Sequence, residues 1–119
     1  DEAASIAQPR GQADFQLHTH RHRVSIDPAL FRREFDDNRK YLSAIAGGPF
    51  VHFCYPGGFH LPQFPEWLPG VGVQSATTCE VALATPASPR FLLPRLVDHS
   101  HLSEIEFRGW LSGVAQFLP

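Results

Sequence analysis

The chain has 119 residues, 43% of them hydrophobic and 18% charged, with a formal net charge of −2, a profile that fits one small domain around a single core. A complete eight-unit barrel is excluded, since that fold takes about 200 residues or more, and the slightly negative balance argues against a general nucleic-acid binder. No apolar run approaches the roughly 18 residues of a membrane span, and Asp1-Glu2-Ala3-Ala4 lacks the basic and apolar segments of a signal peptide. Localisation stays open between the cytoplasm and export from a longer precursor.

Residues 1–13 mix Ala, Gln, Gly and Pro without periodicity and read as a flexible N-terminal segment, leaving residues 14–119 as the domain. Phe15-Gln16-Leu17-His18 alternates apolar and polar, the pattern of a short strand that delivers His18 at its C-terminal end. Asp27-Pro28 starts a helix, with a carboxylate to cap free amides and a proline where no amide hydrogen is needed. Its inward face is Phe31, Phe35, Leu42 and Ile45, and Gly47 with Gly48 is expected to stop it by taking positive φ.

Phe50 to Tyr55 reads as a buried strand that runs into a tight turn at Pro56-Gly57-Gly58. The stretch from His60 to Gly72 carries Pro62, Pro65 and Pro69 and is expected to be a loop or broken turn. Val71 to Thr78 and Phe91 to Val97 are the next predicted strands, the latter tolerating Pro94 at an edge. Ser103-Glu104-Ile105-Glu106 is a capping box for a last helix with Phe107, Trp110, Leu111, Val114 and Phe117 or Leu118 facing inward.

Arg21, Arg23, Arg32, Arg33, Arg39 and Lys40 make the first third locally basic, which reads as a solvated helix face rather than a polyanion site. Cys54 and Cys79 show no C-x-x-C spacing, so they either pair or remain thiols.

The densest chemical signal is His18-Thr19-His20-Arg21-His22 at the end of the first predicted strand. Imidazole is a common neutral metal ligand, and clustering it where the chain turns lets two rings converge on one ion. In an extended strand His18 and His20 share a face; if the chain coils after Thr19, His18 and His22 meet instead. His18 and His22 are the chosen ligands, and the C-terminal mouth of a parallel sheet is where α/β folds place their chemistry. Incidental surface histidines are the competing reading.

The sequence resembles the metal-dependent polysaccharide deacetylases, the chitooligosaccharide deacetylase-like carbohydrate esterases. Their motif H-[ST]-x-x-H is met by His18-Thr19-His20-Arg21-His22, and Phe53-Cys54-Tyr55-Pro56-Gly57-Gly58 is similar to their F-x-Y-P-x-G turn. Gly72 to Thr78, Leu93-Pro94-Arg95 and Glu106-Phe107 look like the family's later elements, so the likeness spans roughly residues 14–118. The resemblance implies an α/β fold, a partial or truncated (β/α) barrel that a second copy could complete. It implies hydrolytic removal of acetyl groups from an acetylated polysaccharide or oligosaccharide, with a divalent metal, zinc or another, held by two histidines and an aspartate. A backbone amide at the turn, that of Tyr55 or a neighbour, would steady the oxyanion, and His99 in Leu96-Val97-Asp98-His99 suits the family's late general acid.

The departures are specific. The family's aspartate pair precedes the histidines, where this chain has only Asp1 and Asp14, and the turn lacks the arginine of many relatives. Phe35-Asp36-Asp37 imitates the aspartate string but sits inside the predicted helix, so Asp36 and Asp37 read as solvated carboxylates. Phe59, His60, Phe64 and Trp67 could line a sugar cleft or pack the loop. Without the aspartate pair the chain alone is expected to be impaired. Two alternatives stand beside catalysis: a non-catalytic carbohydrate- or metal-binding α/β module, and a self-associating structural domain whose histidines are incidental.

Overall fold

The computed structural model describes residues 13–97 and 99–114. Asp27 opens helix α1 (Pro28–Ser43), its carboxylate accepting from the amides of Ala29 and Leu30. The helix buries Phe31, Glu34, Phe35, Asn38 and Leu42, a stripe with helical spacing in which two polar residues interrupt the apolar run. It ends at Ala44, where amides turn back to Tyr41 and Leu42 in tight bonds. Gly47 and Gly48 do not take positive φ, so the expected glycine stop is replaced by a tightened last turn. Ile45 packs against the core from beyond the helix.

Four short segments run parallel, side by side in chain order. Leu17 bridges Phe53 of strand β1 (His52–Cys54), β1 pairs with β2 (Ser75–Thr77) in the register Phe53 to Ala76, and Thr77 bridges Leu93. Phe15–His18 and Phe91–Val97 therefore contribute one bridging residue each instead of full strands. Parallel pairing demands long crossovers, and α1 supplies the first. These residues form a parallel α/β layer.

Alternation gives the sheet two unlike faces. Leu17, Phe53 and Ala76 are buried, with Phe53 against Phe35 at a ring-centroid distance of 4.7 Å. His52, Cys54, Ser75 and Thr77 point the other way and stay partly or fully exposed. The core continues through Phe31, Tyr55, Phe64, Leu68, Val71 and Val73, and burying each large side chain contributes about 1.5–3 kcal/mol.

The proline-rich stretch after the turn is helical, contrary to the loop expectation: α2 (Phe64–Trp67) leads into a 3-10 turn at Pro69–Val71. Pro65 and Pro69 occupy first-turn positions, where a missing amide hydrogen removes no helical bond. Helix α3 (Glu104–Leu111) has the predicted capping box, Ser103 and Glu106 bonding reciprocally. Its expected inward face is not buried: Phe107, Leu111 and Val114 are exposed and Trp110 is half-buried. Phe117 and Leu118 lie outside the described residues, as does nearly all of the N-terminal segment. No described helix is long and apolar enough to cross a membrane.

Candidate metal and substrate site

The C-terminal ends of the parallel segments carry His18, Cys54-Tyr55 and Thr78-Cys79, so the sheet brings to one rim residues far apart in sequence. At the first rim position Leu17 is locked by its amide donating to His52 O (2.9 Å) and its carbonyl accepting from Cys54 N (3.0 Å). His18 follows directly, its amide donating to the buried Asn38 Oδ1 of α1 at 3.0 Å.

The chain coils after His18. Thr19 and His22 both take left-handed φ, 63° and 54°, a conformation that costs a non-glycine residue about 1–2 kcal/mol and is held here by side-chain bonds. Thr19 is buried and its Oγ1 accepts from the Arg23 amide at 3.0 Å. The result is a close pair of rings, His18 and His22, with centroids 4.9 Å apart at 64°. Of the two pairings open to the sequence, the structure brings together the residues four apart.

The tautomer of His18 follows from its partner. Its Nδ1 lies 2.7 Å from Cys54 O, and a carbonyl oxygen only accepts, so in the neutral ring the proton sits on Nδ1. That leaves the Nε2 lone pair for a ligand, the arrangement by which a metal-binding histidine is oriented through its other nitrogen.

Glu34 holds the loop to α1. Its carboxylate accepts from the Arg21 amide at 2.8 Å and the Arg21 guanidinium at 3.0 Å, with Arg23 at 3.5 Å. Burial pushes the Glu34 carboxyl up, but the backbone and side-chain bonds from Arg21 outweigh it and hold the group below its ordinary value. The bond from Arg21 also holds Asp37 low, and Asp37 and Glu34 in turn raise Arg21. Asp36 is exposed; the F-D-D string is thus a surface pair with one member tied to the loop. The sequence reading missed Glu34, although its place on the Phe31, Phe35, Asn38 stripe was the available signal.

The turn after β1 is a 3-10 turn over Pro56–Gly58, with Gly57 and Gly58 at φ 60° and 72°. Gly58 is required: a Cβ there would stand 2.7 Å from Cys79 Cβ. The Tyr55 amide donates to Thr77 O at 3.1 Å, which commits it to the sheet ladder. Gly58 and Phe59 amides close the turn onto Tyr55 O and Pro56 O, so the turn amide left for a ligand is that of Gly57. The Tyr55 ring is fully buried, its hydroxyl has no partner among the described residues, and burial pushes its pKa up to about 12.

The predicted aromatic residues divide. Trp67 packs on Phe31 (5.3 Å) and Phe64 (5.7 Å), a core role. Phe59 is exposed beside the turn, and half-buried His60 places Nδ1 3.0 Å from Gly58 O. His99 is exposed, its Nδ1 accepting from the His101 amide, and among the described residues no hydrogen bond or ring contact joins it to His18 or His22. Cys54 and Cys79 are free thiols. Among the described residues no group of three or more His, Cys, Asp or Glu side chains converges on a metal position, so the histidine pair supplies two donors only.

No family model matches the chain, and no curated protein matches it. Among solved structures it is similar to the Streptococcus pyogenes deacetylase PplD in complex with acetate, with a TM-score of 0.70 over 91% of this chain at 15% sequence identity. The chain covers 55% of that protein, about half its length. The likeness is one of fold.

Proposed function

We propose that this chain forms part of a metal-dependent deacetylase of the (β/α)-barrel type, acting by hydrolysis on N- or O-acetyl groups of a polysaccharide or oligosaccharide. The observation that carries the reading is the His18 ring: its Nδ1 is committed to Cys54 O, its Nε2 has no partner among the described residues, and His22 stands beside it. It sits at the strand-end rim of a fold similar to a deacetylase whose structure holds acetate, the acid that hydrolysis of an acetyl group releases.

The donor chemistry fits a borderline cation such as zinc, with His18 and His22 as its imidazole ligands. A divalent ion bound there would supply Lewis-acid polarisation of the acetyl carbonyl and a lowered pKa for water. Asn38 and Cys54 orient His18, Glu34 and Arg21 hold the coil that presents His22, and the Gly57 amide is the oxyanion donor of the turn. Phe59 and His60 flank that turn as the sugar contacts. A catalytic zinc site takes three protein ligands as a rule; the third, and the carboxylate that accepts the water proton, come from residues other than those described here. The isolated chain accordingly binds metal weakly and turns over slowly.

The two-donor count also favours a second reading, a metal- or carbohydrate-binding module without catalysis. Zinc titration of the chain and of His18→Ala/His22→Ala, together with acetate release from an N-acetylglucosamine hexamer, separates the possibilities. Zinc uptake lost in the variant, with zinc-dependent acetate release, supports the deacetylase. Uptake without acetate release, even at high protein concentration, favours the module, and no uptake by the unmodified chain overturns both metal readings.

A further inference from the structure

Two adjoining grooves flank the loop that carries the histidine pair, and neither is used by the chemistry above. One, of about 430 Å³, is lined by His20, Arg21, Arg33, Asp37, Lys40 and Tyr41. The other, of about 300 Å³, shares Arg21 and Arg33 and adds Arg23 and Ser25. Among the described residues they present Arg21, Arg23, Arg33 and Lys40 against two carboxylates, Glu34 and Asp37, an excess of two positive charges in a chain whose net charge is −2.

The carboxylates are taken up internally. Arg21 reaches Glu34 and Asp37 at 3.0 and 2.8 Å. Arg23 and Arg33 lie farther from them, at 3.5 and 3.6 Å, with side chains 70% and 67% exposed. The Arg33–Asp37 pair, open to solvent, adds little to stability, and the Arg23 guanidinium is exposed although the Glu34 carboxylate it approaches is buried; a guanidinium fork matches an incoming carboxylate in two-point geometry. Tyr41 is 48% exposed and its ring stands 6.0 Å from that of His20, giving the larger groove an aromatic wall on which a pyranose ring can stack.

Resting on the deacetylase reading, we propose that these grooves form a subsite for an acidic glycan, one in which carboxylate-bearing sugars flank the acetylated sugar presented to His18 and His22. Arg23, Arg33 and Lys40 bind the carboxylates, and Tyr41 with His20 stacks on a ring. The loop from His18 to Arg23 belongs to both sites, so a strand lying in the grooves runs past the histidine pair. The basic residues of the first third are then a recognition surface and not merely a solvated helix face.

The test is calorimetric titration of the whole chain with a hyaluronan hexasaccharide, in which N-acetylglucosamine alternates with glucuronate, against a neutral N-acetylglucosamine hexamer. The acidic glycan is expected to bind about tenfold tighter at low salt, with the preference lost at about 0.5 M salt. The triple variant Arg23→Gln/Arg33→Gln/Lys40→Gln should abolish the preference while zinc uptake persists. Equal affinities, a preference retained by the folded triple variant, or a thymidine hexanucleotide binding as tightly as the acidic glycan would each overturn the subsite. If the variant does not fold, the glycan comparison and its salt dependence decide alone. A preference that survives in His18→Ala/His22→Ala keeps the groove even if zinc uptake and the deacetylase reading fail, and intact zinc uptake without preference rejects the groove alone.

Discussion

The Nδ1 of His18 stands 2.7 Å from the carbonyl oxygen of Cys54, a residue 36 positions later in the chain. One sheet contact thereby decides which imidazole nitrogen is free. Nitrogen-15 NMR should find neutral His18 protonated on Nδ1, with the Nε2 signal moving when zinc is added. A ring protonated on Nε2 would remove the donor geometry on which the metal reading depends.

Glu34 is expected to make loop order sensitive to acid. Its carboxyl titrates lower in the folded chain than its ordinary value of 4.5, so its stabilisation is complete above the unfolded value and is lost as pH falls through the folded one. Glu34→Ala should cost about 1–3 kcal/mol at pH 7, by leaving the Arg21 amide unpaired. Urea denaturation at a series of pH values should show that deficit shrinking as acid protonates Glu34 in the parent.

The Tyr55 hydroxyl is buried without a partner among the described residues, so Tyr55→Phe should be neutral or stabilising by about 1 kcal/mol. The phenol's pKa rises from 10.0 to about 12 on folding. Ionisation therefore favours the unfolded chain, and the parent loses stability between those values as pH rises. Ultraviolet titration should lose its step near pH 12 in the variant, and the alkaline fall in melting temperature should flatten.

Adjacent glycines at the turn should respond unequally to alanine. Gly57 and Gly58 both have positive φ, but a Cβ on Gly57 meets nothing within 4 Å, whereas one on Gly58 lands 2.7 Å from Cys79 Cβ. Gly57→Ala should cost about 1 kcal/mol for backbone strain. Gly58→Ala adds overpacking and should cost roughly 2–4 kcal/mol. Denaturant midpoints measured side by side would expose the difference, and equal losses would refute the close approach.

Removing the acceptor of the His18 amide tests how α1 positions the site. Asn38→Leu leaves that partly buried donor unpaired, an expected loss of about 1–3 kcal/mol, and frees the backbone that aims the ring. Zinc affinity should fall by about tenfold or more in a variant that still folds, as read by circular dichroism and titration in parallel.

What the sequence alone determined is local. Asp27-Pro28, Ser103 with Glu106, and Pro56-Gly57-Gly58 specify caps and a turn through residues no more than a few positions apart, and those features stand where the pattern put them. The strand segments were legible in order, though Phe50–Tyr55 shortens to His52–Cys54, Val71–Thr78 to Ser75–Thr77 with Val71 in a 3-10 turn, and Phe15–His18 and Phe91–Val97 to single bridges. The end of α1 at Ala44 and the helix at Phe64–Trp67 were not, because a glycine pair and a proline run each permit more than one backbone path.

Tertiary structure decided the rest. Helical spacing offered α3 an apolar face at Phe107, Leu111 and Val114, but burial needs a surface to pack on, and the described residues cover the helix only in part, leaving Trp110 half-buried and those three exposed. The coil that joins His18 to His22 depends on Thr19 holding the Arg23 amide and on Glu34 holding Arg21 from another element. The free nitrogen of His18 depends on a carbonyl brought alongside by parallel pairing. A histidine's type and spacing are written in the chain; its tautomer and its neighbours are fixed only when distant backbone comes within hydrogen-bond reach.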